Sequence, residues 1–333
     1  MTKVFVSHPQ SRLAQYFGDR ATNALRDIAE ARFNPGDTDL TSQDIASFAG
    51  DCDFIIAYRQ TIGDEALFAA MPQLVAFVRN AIDIRTVDVA AAGRHGVMVT
   101  QASAGFIASV AEWTIGAMIG LARGITQSTE RFHAMQAVPP AMGRELRGST
   151  LGVIGYGQIG RYLCNLARAF GMRVLAYDPH VAADGEGVEQ VSMLHVLQGA
   201  DFVVCLATST PETGNLMDAQ AFFSMKPGAF FINASRGELV ADAALLQALD
   251  SGHIAGCALD VGRAPDQMPL ARVASHPRVI ATPHIGGLTP PAVEHQAMET
   301  VAQIADMLAG RVPKGAVNPE HAARWKARYT HDQ

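Results

Sequence analysis

The chain has 333 residues, of which 49% are hydrophobic and 17% are charged, and its formal net charge is −6. This length suggests two domains, and the apolar fraction excludes a disordered chain. The negative charge argues against binding to nucleic acid or to an anionic membrane, because both need a cationic surface. No stretch of about 18 residues is continuously apolar, so the sequence predicts no membrane-spanning segment.

The amino-terminal residues pass directly into a β-like run, so the sequence predicts no secretory signal. The four cysteines are widely spaced and form no Cys-x-x-Cys pair; they are Cys52, Cys164, Cys205 and Cys257. Buried free thiols are typical of a reducing compartment. We therefore expect a cytoplasmic protein without a bound metal.

Ten short apolar runs alternate with helical patterns along the chain. Strands are predicted at 4–6, 54–58, 74–79, 97–100, 150–154, 174–177, 202–206, 229–232, 254–259 and 279–281. Several runs are apolar throughout, which is typical of parallel strands covered by helices on both faces. The alternation predicts an α/β fold with right-handed crossovers.

Two long helices bracket the middle of the chain. The first is predicted over 110–132. The second follows Thr289, which can cap it, while the next two prolines suit its first turn and Gly310 can close its far end. We expect these helices to enclose a middle domain that is inserted into the first, and we expect the tail after Asn318 to be a surface extension.

A glycine motif follows the predicted strand at 150–154, with glycines at Gly155, Gly157 and Gly160. The first permits a tight turn, the second lets backbone approach a pyrophosphate, and the third lets helix and strand pack closely. The next strand ends in Asp178, an acid placed to bond the ribose hydroxyls and to repel a 2′-phosphate. Pro179 follows with no adjacent arginine, so the pattern favours NAD over NADP.

Polar residues follow three later strands, where ligands bind in such sheets. They are Arg236, Asp260 and His284. Hydride transfer between nicotinamide and a carbon bearing oxygen requires a proton to move as well, and histidine can carry that proton near neutral pH. A planar arginine can bind a carboxylate. Taken together, the three residues predict a dehydrogenase site.

Seven motifs in this order resemble one family. They are Val110-Ala111-Glu112, Gly152-Val153-Ile154-Gly155-Tyr156-Gly157-Gln158-Ile159-Gly160, Thr210-Pro211-Glu212-Thr213, Lys226-Pro227-Gly228-Ala229, Asn233-Ala234-Ser235-Arg236-Gly237, Ala258-Leu259-Asp260-Val261 and Pro283-His284-Ile285-Gly286-Gly287. The chain is similar over residues 4–318 to the D-isomer-specific 2-hydroxyacid dehydrogenases, a group that includes phosphoglycerate dehydrogenase.

The resemblance implies a doubly wound Rossmann domain at 103–289, inserted into a flavodoxin-like α/β substrate domain at 1–102 and 290–318, with a carboxyl-terminal extension at 319–333. It implies NAD as cofactor, a small 2-hydroxy or 2-oxo acid as substrate, no nucleic-acid or membrane partner, and a homodimer with residues 120–150 as its arm. His284 would be the acid/base, Arg236 the substrate anchor and Asp260 a contact of the nicotinamide carboxamide.

Two sets of binding residues follow from the same resemblance. The cofactor set is Gly155, Gly157, Gln158, Ile159, Gly160, Asp178, Pro179, Thr208, Thr213, Ala234, Ser235, Arg236, Asp260, His284 and Gly287. The substrate set is Tyr58, Arg59, Ala81, Ile82, Asp83 and Arg236.

The chain departs from the family pattern beside the histidine. The family has a glutamate five residues after the Leu-Asp-Val aspartate, and that glutamate pairs with the histidine. Here that position is Pro265. Asp266 is the nearest carboxylate and is predicted to replace the glutamate as the third catalytic residue, while Gln267 is a neutral alternative.

A second departure lies in the predicted substrate loop, where Ala81 and Asp83 replace two glycines of the family. The carboxylate of Asp83 would repel a substrate carboxylate unless Arg85 or Arg59 neutralises it. This loop suggests a larger or cationic substrate.

We interpret the sequence as an NAD-dependent enzyme that interconverts a D-2-hydroxy acid and its 2-oxo acid. One alternative is an NAD-binding regulatory protein of the same fold without turnover, and another is a dehydrogenase of a small anion such as formate or phosphite.

Overall fold

The computed structural model describes residues 1–330. Twelve strands run in chain order as β1 (Lys3–Val6), β2 (Glu30–Phe33), β3 (Phe54–Ala57), β4 (Ala76–Arg79), β5 (Met98–Gln101), β6 (Thr150–Ile154), β7 (Arg173–Tyr177), β8 (Val188–Gln190), β9 (Phe202–Cys205), β10 (Phe230–Asn233), β11 (Gly256–Leu259) and β12 (Val279–Ala281). The α-helices are α1 (Gln10–Tyr16), α2 (Gly18–Ile28), α3 (Ser42–Ala49), α4 (Glu65–Ala70), α5 (Val89–Arg94), α6 (Ile107–Arg123), α7 (Ile125–His133), α8 (Gln158–Ala169), α9 (Met193–Gly199), α10 (Ala219–Ser224), α11 (Asp242–Asp250), α12 (Ala271–Ala274), α13 (Pro290–Leu308) and α14 (Ala323–Tyr329).

The chain divides into two compact units, and unit 2 interrupts unit 1 in sequence. Unit 1 contains Met1–Gly105 and the part from Pro290 onward, and unit 2 contains Phe106–Thr289. The boundaries between the two units therefore fall after residues 105 and 289. The domain boundaries expected from sequence fall after residues 102 and 289.

Unit 1 is built on a five-stranded parallel sheet of order β2-β1-β3-β4-β5, which is the flavodoxin-like order. Successive side chains of a strand point to opposite faces. Val4 and Val6 accordingly lie in a core with α2, α13 and α14, while Phe5 lies in a second core with α3, α4 and α5. Both faces are covered, as the apolar strands predict.

The tail expected to be a surface extension is mostly exposed, but it docks against unit 1 through a buried side chain. Residues 323–329 form α14, and Trp325 is 2% exposed and packs in the core shared with α13. Its indole Nε1 donates to the carbonyl oxygen of Met307 at 3.0 Å. One buried aromatic side chain thus docks a segment whose other residues are mainly polar. Residues 331–333 of the predicted extension lie outside the described residues.

Unit 2 is built on a seven-stranded parallel sheet of order β12-β11-β10-β9-β6-β7-β8, with apolar cores on both faces. Its first three strands lie in the order β8-β7-β6, and the later strands continue on the other side of β6. This is a doubly wound Rossmann sheet, and the α/β prediction is confirmed.

The helix predicted over 110–132 is two helices. Gly124 adopts a left-handed conformation with φ of 60° and separates α6 from α7. A glycine in this conformation ends a helix, because it places the next peptide out of the helical path. The apolar periodicity alone did not reveal the break.

Ten of the twelve strands were predicted, and β2 and β8 were missed. Both occupy sheet edges and carry partly exposed residues, as in Glu30–Phe33 and Val188–Gln190. An edge strand lacks the continuous apolar run that reveals an interior parallel strand. Within residues 1–330, no helix has the length and apolar character needed to cross a membrane.

Candidate active site

The carboxyl ends of the unit 2 strands form one row. Strand register aligns Tyr177, Ile154, Cys205, Asn233, Leu259 and Ala281 across the sheet. The residues that come directly after this row include Asp178, Gly155, Asp260 and Thr282. The polar residues that follow these strands therefore lie along the carboxyl-terminal end of the unit 2 sheet, where α/β sheets bind ligands.

The glycine turn after β6 has space for a phosphate. Gly155 has a φ of 103°, and a Cβ there would lie 2.6 Å from backbone atoms of Leu206 and Ala207. A Cβ on Gly160 would lie 2.4 Å from the carbonyl oxygen of Gly155. At Gly157, in contrast, nothing lies within 4 Å. The turn is thus tightly packed at Gly155 and Gly160 and open at Gly157. It lies at the N-terminus of a 12-residue helix, and an open backbone at a helix N-terminus fits a bound pyrophosphate.

Asp178 joins the glycine turn to its own loop. One carboxylate oxygen accepts from the Tyr156 amide at 2.8 Å, and the other accepts from the amides of His180 and Val181 at 2.8 and 3.0 Å. A carboxylate offers about four acceptor positions, so Asp178 keeps capacity for a ribose hydroxyl. The side chain is half-buried beside the open glycine turn, which fits the predicted ribose contact.

Asn233 shapes the loop that carries Arg236. Its buried side chain accepts from the Ser235 amide at 3.1 Å and donates to the Arg236 carbonyl at 2.8 Å. The Ser235 hydroxyl donates to the carbonyl of Ala207 at 2.6 Å, which ties this loop to the one after β9. The Arg236 guanidinium donates to the Ser235 carbonyl at 2.8 Å and is half-buried.

The remaining predicted cofactor residues lie in loops of unit 2 and in the first turn of α8. Thr213 donates its hydroxyl to the carbonyl of Thr208 at 2.8 Å and so closes the loop after β9. The others lie in exposed or half-buried positions at the start of α8 and in the loops after β7, β10 and β12; they are Gln158, Ile159, Pro179, Ala234 and Gly287.

Asp260 is buried and organises the turn that carries His284. One carboxylate oxygen accepts from the Thr282 hydroxyl at 2.6 Å and from the Ile285 amide at 2.8 Å, and the other accepts from the Gly286 amide at 2.7 Å. The exposed fraction of Asp260 is 3%. The family resemblance implies a contact between this aspartate and the nicotinamide, and these hydrogen bonds give it a structural role in the histidine turn as well.

The His284 ring contacts the loop in which the expected glutamate is missing. The ring Nδ1 lies 3.1 Å from the backbone carbonyl oxygen of Asp266. His284 itself has a left-handed φ of 56°, and its amide donates to the carbonyls of Asp260 and Thr282 at 3.0 Å each. Asp266 therefore lies beside the histidine, and this hydrogen bond uses its backbone carbonyl.

The predicted substrate residues of unit 1 lie in two loops that share one buried cation. Arg79 is 2% exposed, and its guanidinium donates to the carbonyls of Tyr58, Arg59, Thr61 and Asp83. Burial lowers the pKa of Arg79 to about 10. This one side chain therefore connects the loop after β3 to the loop after β4, where Ala81 and Ile82 also lie.

Arg85 neutralises Asp83 in that second loop. The guanidinium approaches both carboxylate oxygens, with nitrogen–oxygen distances of 3.0–3.2 Å. The repulsion that Asp83 alone would exert on a substrate carboxylate is therefore reduced.

A buried pair, His8 and Asn80, follows β1 and β4. The ring Nε2 of His8 lies 3.1 Å from the Asn80 amide nitrogen, which also donates to the Tyr16 carbonyl at 2.8 Å. Burial, together with the nearby charge of Arg79, lowers the pKa of His8 to about 3. His8 is therefore neutral in the folded protein.

Sequence reasoning missed three positioning residues: Arg79, Asn233 and Thr282. Each is a polar residue at or just after the end of an apolar strand. A polar residue at the end of an apolar strand could have been recognised from sequence, because a buried polar group must form hydrogen bonds. Across the described part of the chain, no group of three or more His, Cys, Asp or Glu side chains is arranged to hold a metal ion.

Comparison with known proteins assigns the chain to one family. The family described as "D-isomer specific 2-hydroxyacid dehydrogenase, NAD binding domain" matches residues 115–286, just over half of the chain. D-3-phosphoglycerate dehydrogenase of Synechocystis sp. is 34% identical over 298 residues, which cover 88% of this chain and 53% of that protein. The chain spans about half the length of the curated relatives that it matches.

Two solved structures show the same fold over nearly the whole chain. Apo D-lactate dehydrogenase from Escherichia coli is 26% identical with a TM-score of 0.84, covering 95% of this chain and 100% of that one. D-lactate dehydrogenase from Aquifex aeolicus, complexed with NAD and lactic acid, is 25% identical with a TM-score of 0.76, covering 93% and 96%. Together with the site geometry, the family match leads to one conclusion: the chain belongs to the D-isomer specific 2-hydroxyacid dehydrogenase family and contains its NAD-binding domain.

Proposed function

We propose that the protein interconverts a D-2-hydroxy acid and its 2-oxo acid with NAD as cofactor. The observation that carries this proposal is the row of strand ends in unit 2, because the loops after β10, β11 and β12 carry Arg236, Asp260 and His284 beside a turn suited to pyrophosphate. The names of the curated relatives and of the lactate dehydrogenases support the same reaction class.

In this proposal Arg236 binds the substrate carboxylate through its planar guanidinium, and His284 gives or takes the hydroxyl proton. Bound NAD would supply or accept the hydride. The glycine turn and the N-terminus of α8 would hold its pyrophosphate, and Asp178 would bind the ribose. Asp266 completes the catalytic set as the neighbour of His284.

In unit 1 we propose five substrate-binding residues, in the two loops that Arg79 connects; they are Tyr58, Arg59, Ala81, Ile82 and Asp83. Arg85 pairs with Asp83, so part of its positive charge is neutralised. A loop with glycines at positions 81 and 83 would leave more positive charge to attract a compact anion. We therefore propose a 2-oxo acid with a side chain beyond the methyl of pyruvate.

We also propose a cytoplasmic homodimer. In unit 2, side chains of the 120–150 segment are strongly exposed although they are apolar: Ile125 by 51%, Phe132 by 63%, Met135 by 93% and Met142 by 100%. Such an apolar surface fits a second copy of the chain. Sedimentation of the unmutated protein measures its oligomeric state, and a monomer at micromolar concentration would contradict the proposed dimer.

A panel of 2-oxo acids, assayed with NADH and NADPH in parallel, tests the reaction. The panel should include pyruvate, hydroxypyruvate, phosphonooxypyruvate and longer or cationic analogues, with formate and phosphite as donors for NAD. We expect turnover of one oxo acid with NADH. Turnover of formate or phosphite alone would favour the small-anion alternative, and NADH binding without any turnover would favour the regulatory one.

Two variants assign the roles. His284→Ala should lose about 10²–10⁴-fold in rate while still binding NADH. Arg236→Lys keeps the positive charge and loses the planar fork, so it should not restore turnover. Full activity of either variant would contradict the role assigned to that residue.

A further inference from the structure

The loop beside His284 contains an unusual tight turn. Asp266 has a φ of 61° and a ψ of 20°, and Gln267 has a φ of 57°, so two consecutive residues that are not glycine adopt the left-handed conformation. The Met268 amide reaches back to the Pro265 carbonyl at 3.4 Å. These are the features of a type I′ turn. Left-handed residues other than glycine, asparagine and aspartate are uncommon and cluster at functional sites.

Hydrogen bonds hold the two ends of the turn together and connect it to neighbouring loops. The Gly262 amide donates to the Gln267 carbonyl at 2.7 Å, and the Ala264 amide donates to the Met268 carbonyl at 2.9 Å. Arg263 donates to the side chain of Asn215 at 2.6 Å and to backbone carbonyls at 238 and 240. The backbone therefore presents the Asp266 carbonyl oxygen in one direction.

The opposite partner is fixed as well. The carboxylate of Asp260 holds the 282–286 turn through three hydrogen bonds, and the His284 amide is bonded to two carbonyls. Two hydrogen-bonded turns thus place the His284 Nδ1 and the Asp266 carbonyl oxygen 3.1 Å apart.

We propose that the backbone carbonyl of Asp266, presented by this left-handed turn, takes the place of the family's glutamate in orienting His284. This inference rests on the proposed function of His284 as acid/base. A carbonyl oxygen only accepts hydrogen bonds, so Nδ1 carries the hydrogen in the neutral ring. Nε2 is then the nitrogen that exchanges a proton with substrate. Unlike a glutamate, the carbonyl does not titrate, and it stabilises the protonated ring less than an anion would.

A matched pair of variants separates the carbonyl from the carboxylate. Asp266→Gly and Asp266→Val both remove the carboxylate, but only glycine readily adopts a φ near 60°. We expect kcat of the valine variant to be about 10²-fold below that of the glycine variant, because a displacement of about 1 Å at a catalytic group has an effect of this size. Equal loss in both variants would overturn the proposal and assign the role to the carboxylate.

The pH profile gives a second readout that loss of folding cannot mimic. Asp266→Asn keeps the carbonyl, and asparagine tolerates the left-handed conformation. We expect the midpoint of its pH–rate profile to stay where the unmutated protein has it. A carboxylate partner predicts instead a fall of about 1–3 pH units in that midpoint, and such a fall would refute the proposal.

Nitrogen NMR of the unmutated protein tests the contact without any turnover. The His284 signals are identified by their absence in His284→Ala. We expect the neutral ring to carry its hydrogen on Nδ1, and a hydrogen on Nε2 would overturn the proposal even if the valine variant does not fold. If no 2-oxo acid is turned over, the proposed function fails, while the NMR result still decides how His284 is held.

Discussion

Asp260→Asn should both destabilise unit 2 and impair catalysis. In the native turn three donors converge on the carboxylate, namely the Thr282 hydroxyl and the amides of Ile285 and Gly286. An asparagine offers one acceptor oxygen and one NH2 group. The hydroxyl of Thr282 can reverse its hydrogen bond, but a backbone amide cannot. Whichever way the side chain is oriented, one buried N–H then faces another donor.

The cost follows from these contacts. A buried donor without a partner costs about 1–3 kcal/mol, and the remaining bonds become neutral where they were charge-assisted. We therefore expect the free energy of unfolding of unit 2 to fall by about 2–4 kcal/mol. Thr282→Val is the matched control, because it removes one donor and leaves the carboxylate bonded to both amides. Its loss should be smaller, about 1.5 kcal/mol.

The protein contains two tryptophans, one in each unit, and this makes the measurement specific. Trp113 belongs to α6 of unit 2 and lies near Gly286. In a Trp325→Phe background, its fluorescence during guanidinium denaturation reports the unfolding of unit 2. A loss below about 0.5 kcal/mol in Asp260→Asn, which is the range of ordinary surface substitutions, would refute the argument that this carboxylate holds the histidine turn.

Three further predictions concern the cofactor and unit 1. Asp178→Ala should narrow the preference for NADH over NADPH in a binding titration, and equal binding of both by the unmutated protein would contradict the role of this carboxylate. Trp325→Ala should destabilise unit 1 by about 3–5 kcal/mol, because it leaves a cavity where the indole packs; a loss under about 1 kcal/mol, measured by calorimetry, would show that α14 is not part of the core. His8 has a pKa of about 3 in the folded protein, well below its ordinary value, so below about pH 6.5 the unfolded chain binds a proton that the folded protein does not. Stability should therefore fall as pH falls from about 6.5 to 3, by up to about 1.4 kcal/mol per pH unit, and His8→Leu should reduce this slope; an unchanged slope would refute the assignment.

Interior strands and the glycine turn were predictable from local sequence. A parallel strand covered on both faces must be apolar along its length, so runs such as Phe202–Cys205 are visible without a structure. The turn at Gly155 depends on conformations that only glycine reaches without strain, and the sequence therefore records it directly. The candidate residues of the Rossmann unit were found for the same reason, because each follows such a strand.

Edges and breaks were less visible. The strand Val188–Gln190 is short and partly exposed, so no apolar run identifies it. The helix break at Gly124 and the docking of Trp325 depend on which neighbours are available, and neighbours distant in sequence leave no periodic signal. A local sequence pattern indicates that a residue is buried, but it does not indicate which distant segments cover that residue.

From the sequence alone it follows that arginine, aspartate and histidine come after three successive strands, and that Pro265 stands where the family has its glutamate. The tertiary fold, in contrast, sets which atom of Asp266 hydrogen-bonds to His284. The answer depends on the sign of φ at Asp266 and Gln267, and neither an aspartate nor a glutamine requires a positive φ. Local bonds from the Gly262 and Ala264 amides hold that conformation. Arg263 anchors the same loop to Asn215, a contact that exists only once the strands of unit 2 have brought the two loops together.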